Sequence, residues 1–512
     1  MSGFRKLARD AAVLTASAIF MRCAGMAYQV WLAGRIGPAG VGLWQLVSSV
    51  NVFTATLAIS GIRFTTTRLV AEEAAAGRPE GVRAVAARAL TYALCFGFGA
   101  FLLQYLGAKP IGFLWIGDAR TVESLRIMAW SLPLISLSCV LGGYFIATGR
   151  AVIAAGVQVA EQLSGVGCVV WLLGRVPEND LERACAAISR GMVTADLVSL
   201  LLVAGLYLLF RLRGRTLPGG LGRGSPERRP ISSGSLTRRM LGLALPLALS
   251  AYARTGLSAL ENLLVPQKLR AAGFSADSAL GGYGTISGMV LPMIAFPACV
   301  LNAVAELTVP ELTAAQVRGD ARRIRRLVLR LLGLALGYAL TVSLLFLSCA
   351  EPLGMLVYRT PGVGHYLRRF TLLIPFLYID IITDGCLKGL GQMLWSMVFN
   401  VAESLIGVLL VAALLPVRGL EGYIFVLFFC EIFNFSLSLL RLRQTVGGGA
   451  AGKERRQVRF SSASTETAGC PPASAPARPA WSSRRGPSRS PSAPERQSAP
   501  RRAAGKAGLR RY

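Results

Sequence analysis

The sequence predicts an all-α polytopic membrane protein with about 12 transmembrane helices in two six-helix lobes around a central cavity. Three observations lead to this fold class. Hydrophobic residues make up 53% of the chain and the mean hydropathy is +0.52, which is outside the range of ordinary soluble domains. Long apolar runs alternate with turn-rich segments, and one stretch of the first half recurs in the second.

Each apolar run is long enough to cross a bilayer, since a helical span needs about 20 apolar residues. Turn-rich segments such as GRIGPAG (34–40) and LPVRGLEG (415–422) separate the runs. The N-terminal run follows Arg5, Lys6 and Arg9 but is too long for a signal peptide, so we interpret it as a retained first helix. The predicted spans are 11–33, 41–62, 86–107, 127–148, 151–174, 192–210, 240–264, 283–305, 328–349, 370–388, 394–415 and 420–440.

The basic residues predict the orientation. The net charge is +29 although only 16% of residues are charged, so the charge is concentrated in a few segments. The N-terminus and the loops on its side carry 23 Lys and Arg residues before residue 445, against 13 on the other side. Because basic loops stay cytoplasmic, both termini are expected in the cytoplasm of a bacterium. Basic loops beside apolar spans indicate a membrane protein and no nucleic-acid partner.

A weak internal repeat predicts the two lobes. The segment 42–78 matches 282–320: each opens with a glycine and an aromatic, crosses an apolar span and reaches a Val-x-Glu step. Six helices separate the copies, so both halves enter the membrane in the same sense, with a cavity between them. The expected organisation is an N-terminal lobe (1–210), a basic cytoplasmic linker (211–239), a C-terminal lobe (240–444) and a disordered basic cytoplasmic tail (445–512).

Three arginines within or at the ends of spans are the strongest candidates for substrate binding. Arg22 interrupts the apolar run IFMRCAGMAYQVWLAG (19–34), Arg63 lies at the inner end of the second span, and Arg254 lies within the seventh. A central arginine costs about 2.5–3.5 kcal/mol on insertion scales, so it usually faces a cavity or a partner. A guanidinium stays charged and binds phosphate oxygens in bidentate fashion. The alternatives are snorkelling for Arg63 and an ion pair between Arg254 and Glu261, two turns along the same face.

Further polar residues extend the predicted site. Tyr28 and Gln29 lie one to two turns beyond Arg22 and could contact a sugar or an amide, with aromatic packing as the alternative for Tyr28. Carboxylates and amides could couple transport to Na⁺ or protons, because hard cations prefer oxygen ligands. Two pairs stand at helical spacing: Asp380 with Asp384, and Glu431 with Asn434. Pairing with arginines is the simpler explanation for each.

No enzymatic motif is present. The two Gly-Lys pairs do not continue into a phosphate-binding loop, and no nucleophile elbow or HExxH occurs. The ten cysteines stand singly, without a CxxC, which favours apolar packing over a zinc site or disulfides. We therefore expect a protein that is not an enzyme and needs no cofactor.

Three stretches resemble the stage V sporulation protein B family, which are oligosaccharide or polysaccharide flippases of the multidrug/oligosaccharidyl-lipid/polysaccharide exporter superfamily. They are FMRCAGMAYQVWLAGRIGPAGVGLWQL (20–46), GIRFTTTRLVAEE (61–73) and the run from 260 to 316. The resemblance covers about residues 8–445. It implies alternating access and a lipid-linked peptidoglycan precursor, or a similar undecaprenyl-diphosphate glycan, as cargo, serving cortex peptidoglycan in spore formers.

The resemblance also bears on single residues. The related lipid II flippases use cavity arginines in their first and second helices, which Arg22 and Arg63 match. Tyr28 stands where those flippases have a further arginine, and no arginine opens the eighth helix. Many members have fourteen spans, whereas the apolar signal here ends near Arg441. A true twelve-span variant and a frameshift in the gene are the two explanations for the tail.

The leading hypothesis is thus a lipid-linked oligosaccharide flippase whose partners are membrane lipids and possible cell-wall synthesis enzymes. A cation-coupled drug exporter of the same superfamily is the first alternative, and it would need an acidic cavity. A non-transporting scaffold for cell-wall synthesis enzymes is the second, and it would make the cavity arginines dispensable.

Overall fold

The computed structural model describes residues 2–177, 180–212, 233–360 and 362–447. These ranges are built of helices and contain no β-strand. Most of the predicted linker and nearly all of the predicted tail lie outside them. The α-helices are α1 (Ser2–Ile59), α2 (Ile62–Ala75), α3 (Pro79–Pro110), α4 (Thr121–Ala129), α5 (Ser131–Ala147), α6 (Ala151–Leu173), α7 (Leu181–Leu212), α8 (Ser233–Ala271), α9 (Ala276–Tyr283), α10 (Leu291–Ala295), α11 (Ala298–Val317), α12 (Ala321–Tyr358), α13 (Val363–Phe370), α14 (Ile374–Gly389) and α15 (Met393–Gly447).

Ten helical runs in the described ranges are long and apolar enough to cross a membrane. Two of them, Ser17–Ala75 and Met393–Val446, have 59 and 54 residues, enough for two crossings each. The first run is broken at Gly37 (φ 67°) and the second at Gly419 (φ 56°). Glycine adopts such positive φ angles readily, whereas a residue with a side chain would be strained there. With these two runs divided at their breaks, the ten runs give twelve segments, the number expected from the sequence, although the eighth, Ala298–Val317, lies further along the chain than the predicted 283–305.

The chain turns back at both breaks. Gln29, before Gly37, donates a hydrogen bond from its side-chain amide to the Gly288 carbonyl (2.8 Å), and Val41, after it, packs on Gly288 as well. Residues 12 positions apart would be about 18 Å apart in a straight helix. Glu403 and Glu431, on either side of Gly419, likewise line one cavity.

The eighth span is not one continuous helix, and one of its breaks is at a proline. It runs through α9, a π-helical turn (Gly284–Val290), α10 and α11. Pro297 has no backbone N–H to continue the ladder, and the helix breaks immediately before α11. A second π-helical turn, Ile111–Ile116, ends the third span. Such turns re-aim side chains and are frequent at functional places.

The spans pack as an amino half (residues 17–212) and a carboxyl half (233–447). Within the amino half α3 packs on α5 and α6 on α7, and within the carboxyl half α11 and α15 pack on α14. The second part of α1 and the helix α8 join the halves. The predicted lobe boundaries at 210 and 240 fall close to the end of α7 and within α8, and they stay predictions.

The two ends of the bundle are named here by their turns. Side 1 carries the turns at 76–78, 148–150, 318–320 and 390–392. Side 2 carries the turns at 37–38, 117–120, 174–177, 272–275 and 359–360. Large apolar side chains, among them Leu106, Leu344 and Leu409, are exposed around the outside, which suits contact with lipid.

Candidate functional site

Polar groups inside the membrane region gather around four cavities. The largest, which we call the central cavity, has a volume of about 660 Å³ and lies between the halves. The amino half contributes Gln45, Ser48 and Ser49 from the second part of α1. The carboxyl half contributes the charged residues Arg254, Glu261, Glu403 and Glu431.

The charge of the central cavity differs from the sequence-based expectation. Three glutamates share it with one arginine, so carboxylates outnumber cations among its described lining residues. Arg254 and Glu261 do lie in one cavity, as predicted, but they form no salt bridge. Glu403, from a different helix, lines the same cavity as Arg254. Glu261 instead packs against Gly407 of α15.

Arg22 lies elsewhere, in a recess of about 330 Å³ between α1 and α6. The Arg22 recess is lined by Ser17, Met21 and Gln158, among others. Arg22 is exposed there and makes no ion pair with any described residue. The neighbouring Gln162 amide donates to the Met21 carbonyl (3.0 Å) and so ties α6 to α1 at this level.

Arg63 lines a third cavity, the amino-half cavity, of about 180 Å³. It shares the cavity with Glu161 and Asp196, and it acts electrostatically on Glu161. Gln158 lines both this cavity and the Arg22 recess. Arg22 and Arg63 therefore approach one glutamine from two sides, although the sequence places them in different spans.

The fourth, the carboxyl-half cavity of about 220 Å³, holds the predicted coupling residues Asp380, Asp384 and Asn434. Asn434 is 7% exposed, and its amide nitrogen donates to Asp380 Oδ2 (3.3 Å). Asp384 is paired with Lys388 (2.5 Å) and accepts a hydrogen bond from Ser396. One oxygen each of Asp380 and Asn434 is buried with no hydrogen-bond partner in the described part of the chain.

The structure separates Glu431 from Asn434, which the sequence placed together as a pair. Glu431 and Asn434 are three residues apart on α15, yet Glu431 faces the central cavity and Asn434 the carboxyl-half cavity. Asn434 joins Asp380 instead. Asn400, which the sequence did not single out, lines both cavities, as Gln158 does in the amino half.

Tyr28 and Gln29 line none of the four cavities. Tyr28 is half-buried, stacks on Trp31 with ring centroids 6.4 Å apart, and packs against the core, as the packing alternative predicts. Gln29 joins the halves through Gly288. The sequence missed Gln45, Ser48 and Ser49, whose i, i+3, i+4 spacing marks one polar face in an apolar span and could have revealed them.

Comparison with known proteins agrees with this architecture. Residues 7–261 match the family model described as polysaccharide biosynthesis protein. Stage V sporulation protein B of Bacillus subtilis (strain 168) is 23% identical over 416 residues, 80% of this chain and 78% of that protein. Sporulation protein YkvU of the same organism is 20% identical over 412 residues, 80% of this chain and 88% of that protein.

Solved structures show the same fold. The lipid II flippase MurJ in an inward closed conformation matches with a TM-score of 0.64 and 11% identity, over 90% of this chain and 94% of that one. An inward-facing multidrug resistance MATE family transporter of the MOP superfamily matches with a TM-score of 0.62 and 17% identity, over 85% and 96%. The two solved relatives are named as a flippase and a transporter, and none of the four relatives is named as an enzyme. The match to the polysaccharide biosynthesis protein family thus covers the first half of the chain, residues 7–261, and the fold is shared with the solved transporters over most of its length.

Proposed function

We propose that the protein is a flippase that carries an undecaprenyl-diphosphate-linked oligosaccharide across the bacterial cytoplasmic membrane by alternating access. The observation that carries this proposal is the state of Arg22 and Arg63. Both are exposed on polar cavities inside the membrane region, both flank Gln158, and neither forms a salt bridge with a described residue. Arg63 shares its cavity with Glu161 and Asp196, whereas the Arg22 recess has no carboxylate among its described lining residues. An intramembrane cation without a protein partner is expensive, and a diphosphate on Arg22 is a ligand that would offset this cost.

The names of the relatives support this choice of cargo. The family description is that of a polysaccharide biosynthesis protein, and one structural relative is named as a lipid II flippase. A peptidoglycan precursor destined for the spore cortex is the cargo we favour, because stage V sporulation protein B and YkvU are named for sporulation. In this proposal side 1 is cytoplasmic, as its basic loops predict, and both termini lie there.

The test is a flipping assay in proteoliposomes with a labelled undecaprenyl-diphosphate glycan. Arg22→Ala should abolish flipping, and Arg22→Lys should retain part of it because the charge remains but the bidentate fork is lost. Arg318→Ala is the matched control, since Arg318 is exposed in the α11–α12 turn. Equal flipping by wild type and Arg22→Ala, with both proteins folded, would contradict the assigned site.

We also propose that a cation binds in the carboxyl-half cavity and couples transport. Its support is the pair of buried oxygens on Asp380 and Asn434 that lack hydrogen-bond partners. Hard cations such as Na⁺ accept carboxylate and amide oxygens of this kind. Asp384 is the less available ligand, because Lys388 and Ser396 already occupy it.

One observation favours a second function, export of cationic small molecules. Glu261, Glu403 and Glu431 give the central cavity the carboxylates that such an exporter needs, and MATE transporters share the fold. Efflux of a cationic dye that Glu403→Gln abolishes would support it. Dye retention equal to that of cells without the protein would exclude it.

A further inference from the structure

The halves are in backbone contact at side 2. A Cβ atom on Gly42 would lie 2.2 Å from the Leu280 carbonyl oxygen, and one on Gly284 would lie 2.1 Å from the Pro38 carbonyl oxygen. Only glycine allows the second part of α1 to approach the eighth span so closely. These glycines also belong to the Gly-aromatic openings of the internal repeat, so the two copies meet each other here. No cargo can pass between the halves while this contact is closed.

Charged side chains fasten the same end. Arg120, in the α3–α4 turn of the amino half, places Nη2 2.8 Å from Asp118 Oδ2 and 3.1 Å from Asp277 Oδ1. Asp277 lies in the first turn of α9, in the carboxyl half. Asp118 is buried, and its hydrogen bond raises the pKa of Arg120 above the ordinary value. One guanidinium thus bridges a carboxylate of its own half and one of the other half.

The end of α8 adds further bonds to the same turn. Arg270 donates to the Gly117 carbonyl (2.7 Å), and its Nη2 lies 3.9 Å from Asp118 Oδ2. The Gln267 amide donates to the carbonyls of Leu114 and Trp115. We call the set of Gly117, Asp118, Arg120, Gln267, Arg270 and Asp277 the side-2 latch.

The arrangement suits repeated opening. When the halves separate, Arg120 keeps its bonds to Asp118, which belongs to the same turn, so no buried charge is left alone. Asp277, whose side chain is 71% exposed, returns to water at little cost. On side 1 the bonds between halves run differently: α8 is tied to the amino half through Arg239 and Glu72 (2.6 Å).

We propose that the side-2 latch is a releasable lock that holds side 2 closed and sets the fraction of molecules open to that side. The inference rests on the proposed transport function, because only a transporter must open this end. None of the latch residues lines any of the four cavities described above, so their role is to position the halves.

The test measures access to the central cavity without any cargo. Ser258 lines the cavity and is exposed, so Ser258→Cys is introduced into a chain whose native cysteines are replaced. A membrane-impermeant methanethiosulfonate is applied to intact cells, which present the predicted outer side 2, and to inside-out vesicles. In Asp277→Lys the new ammonium repels Arg120. We expect labelling from side 2 to rise about two- to fivefold, the range for loss of an exposed pair.

The matched control is Glu123→Lys. It breaks the Arg190–Glu123 pair (2.7 Å), which lies near the same end but within the amino half. We expect its labelling to equal that of the parent. Unchanged labelling in Asp277→Lys, or an equal rise in both variants, would overturn the proposal.

A cross-link covers the case in which Asp277→Lys folds poorly. Trp115→Cys and Gln267→Cys, joined by a short cleavable reagent, should abolish flipping until the link is cleaved, and flipping that persists in the linked protein would overturn the lock. Labelling needs no substrate, so the two proposals can fail separately. A change in labelling without any flipping of the glycan would support the latch proposal and contradict the proposed cargo.

Discussion

The amino-half and carboxyl-half cavities are lined by corresponding spans but differ in the charged residues at matching positions. The second, fourth, fifth and sixth spans line the first cavity, and the eighth, tenth, eleventh and twelfth line the second. The offset that takes Val70 to Val309 in the repeat also takes Arg63 to Asn302 and Glu161 to Asn400. The framework is shared, and the cation present in one half is absent from the matching position of the other.

This difference indicates how one framework can serve two tasks. In the amino half, Arg63 supplies a positive charge that is covalently part of the protein, so Glu161 and Asp196 need no ion from solution. In the carboxyl half, Lys388 neutralises Asp384 and leaves one oxygen each of Asp380 and Asn434 without a partner. We therefore expect the carboxyl half to respond to added cations and the amino half not to do so.

The largest effect is expected for Asp380→Asn. The change removes the charge of the proposed ligand, so stabilisation by Na⁺ should disappear. A cation at 100 times its dissociation constant stabilises a folded protein by about 2.7 kcal/mol. The measurement is the melting temperature in detergent with NaCl against choline chloride at equal ionic strength.

Asp196→Asn is the control for that experiment, because Asp196 lines the other cavity and already has an arginine nearby. It should keep the full response to Na⁺. A response that survives in Asp380→Asn and vanishes in Asp196→Asn would reverse the roles of the two halves.

Asn302→Arg should have the next largest effect, since it copies the Arg63 arrangement into the carboxyl half. The new guanidinium would compete with a free cation for Asp380 and weaken its binding about tenfold, or about 1.4 kcal/mol. Asn302→Gln is the control for side-chain size. The same Na⁺ titration checks both variants, and an undiminished response in Asn302→Arg would show that the cation binds elsewhere.

The sequence predicted the features that follow from the order of residues along the chain, namely the spans and the internal repeat. The spans follow from apolar length, and the repeat predicted two related halves, but the close contact between Gly42 and Gly284 appears only in the structure. The sequence could not predict how helices rotate against each other. Arg254 and Glu261 share a face by spacing, yet the structure adds Glu403, about 150 positions away, to the same cavity. Spacing on one helix is a local quantity, whereas the lining of a cavity depends on every helix packed around it.

Arg63→Gln is expected to lower the stability of the protein only slightly but to create a new response to cations. It leaves Glu161 and Asp196 without the built-in charge, but Arg63 is exposed, so the free energy of unfolding should fall by only about 1 kcal/mol. The variant should gain a second, Na⁺-dependent rise in melting temperature. Arg63→Gln combined with Glu161→Gln should lose that gain, and an absence of new Na⁺ dependence in the single variant would refute the counter-ion role.

Lys388→Gln should give the smallest effect and the finest test of the comparison. The side chains of Lys388 and Asp384 are 47% and 27% exposed, so solvent screens their pair and its loss should cost at most about 0.5 kcal/mol. Because Asp384 then keeps its hydrogen bond from Ser396 but loses its counter-ion beside Asp380, Na⁺ should bind somewhat more tightly, which isothermal titration calorimetry can measure. Weaker binding in Lys388→Gln would mean that the lysine orders the site through Asp384 and does not merely neutralise it.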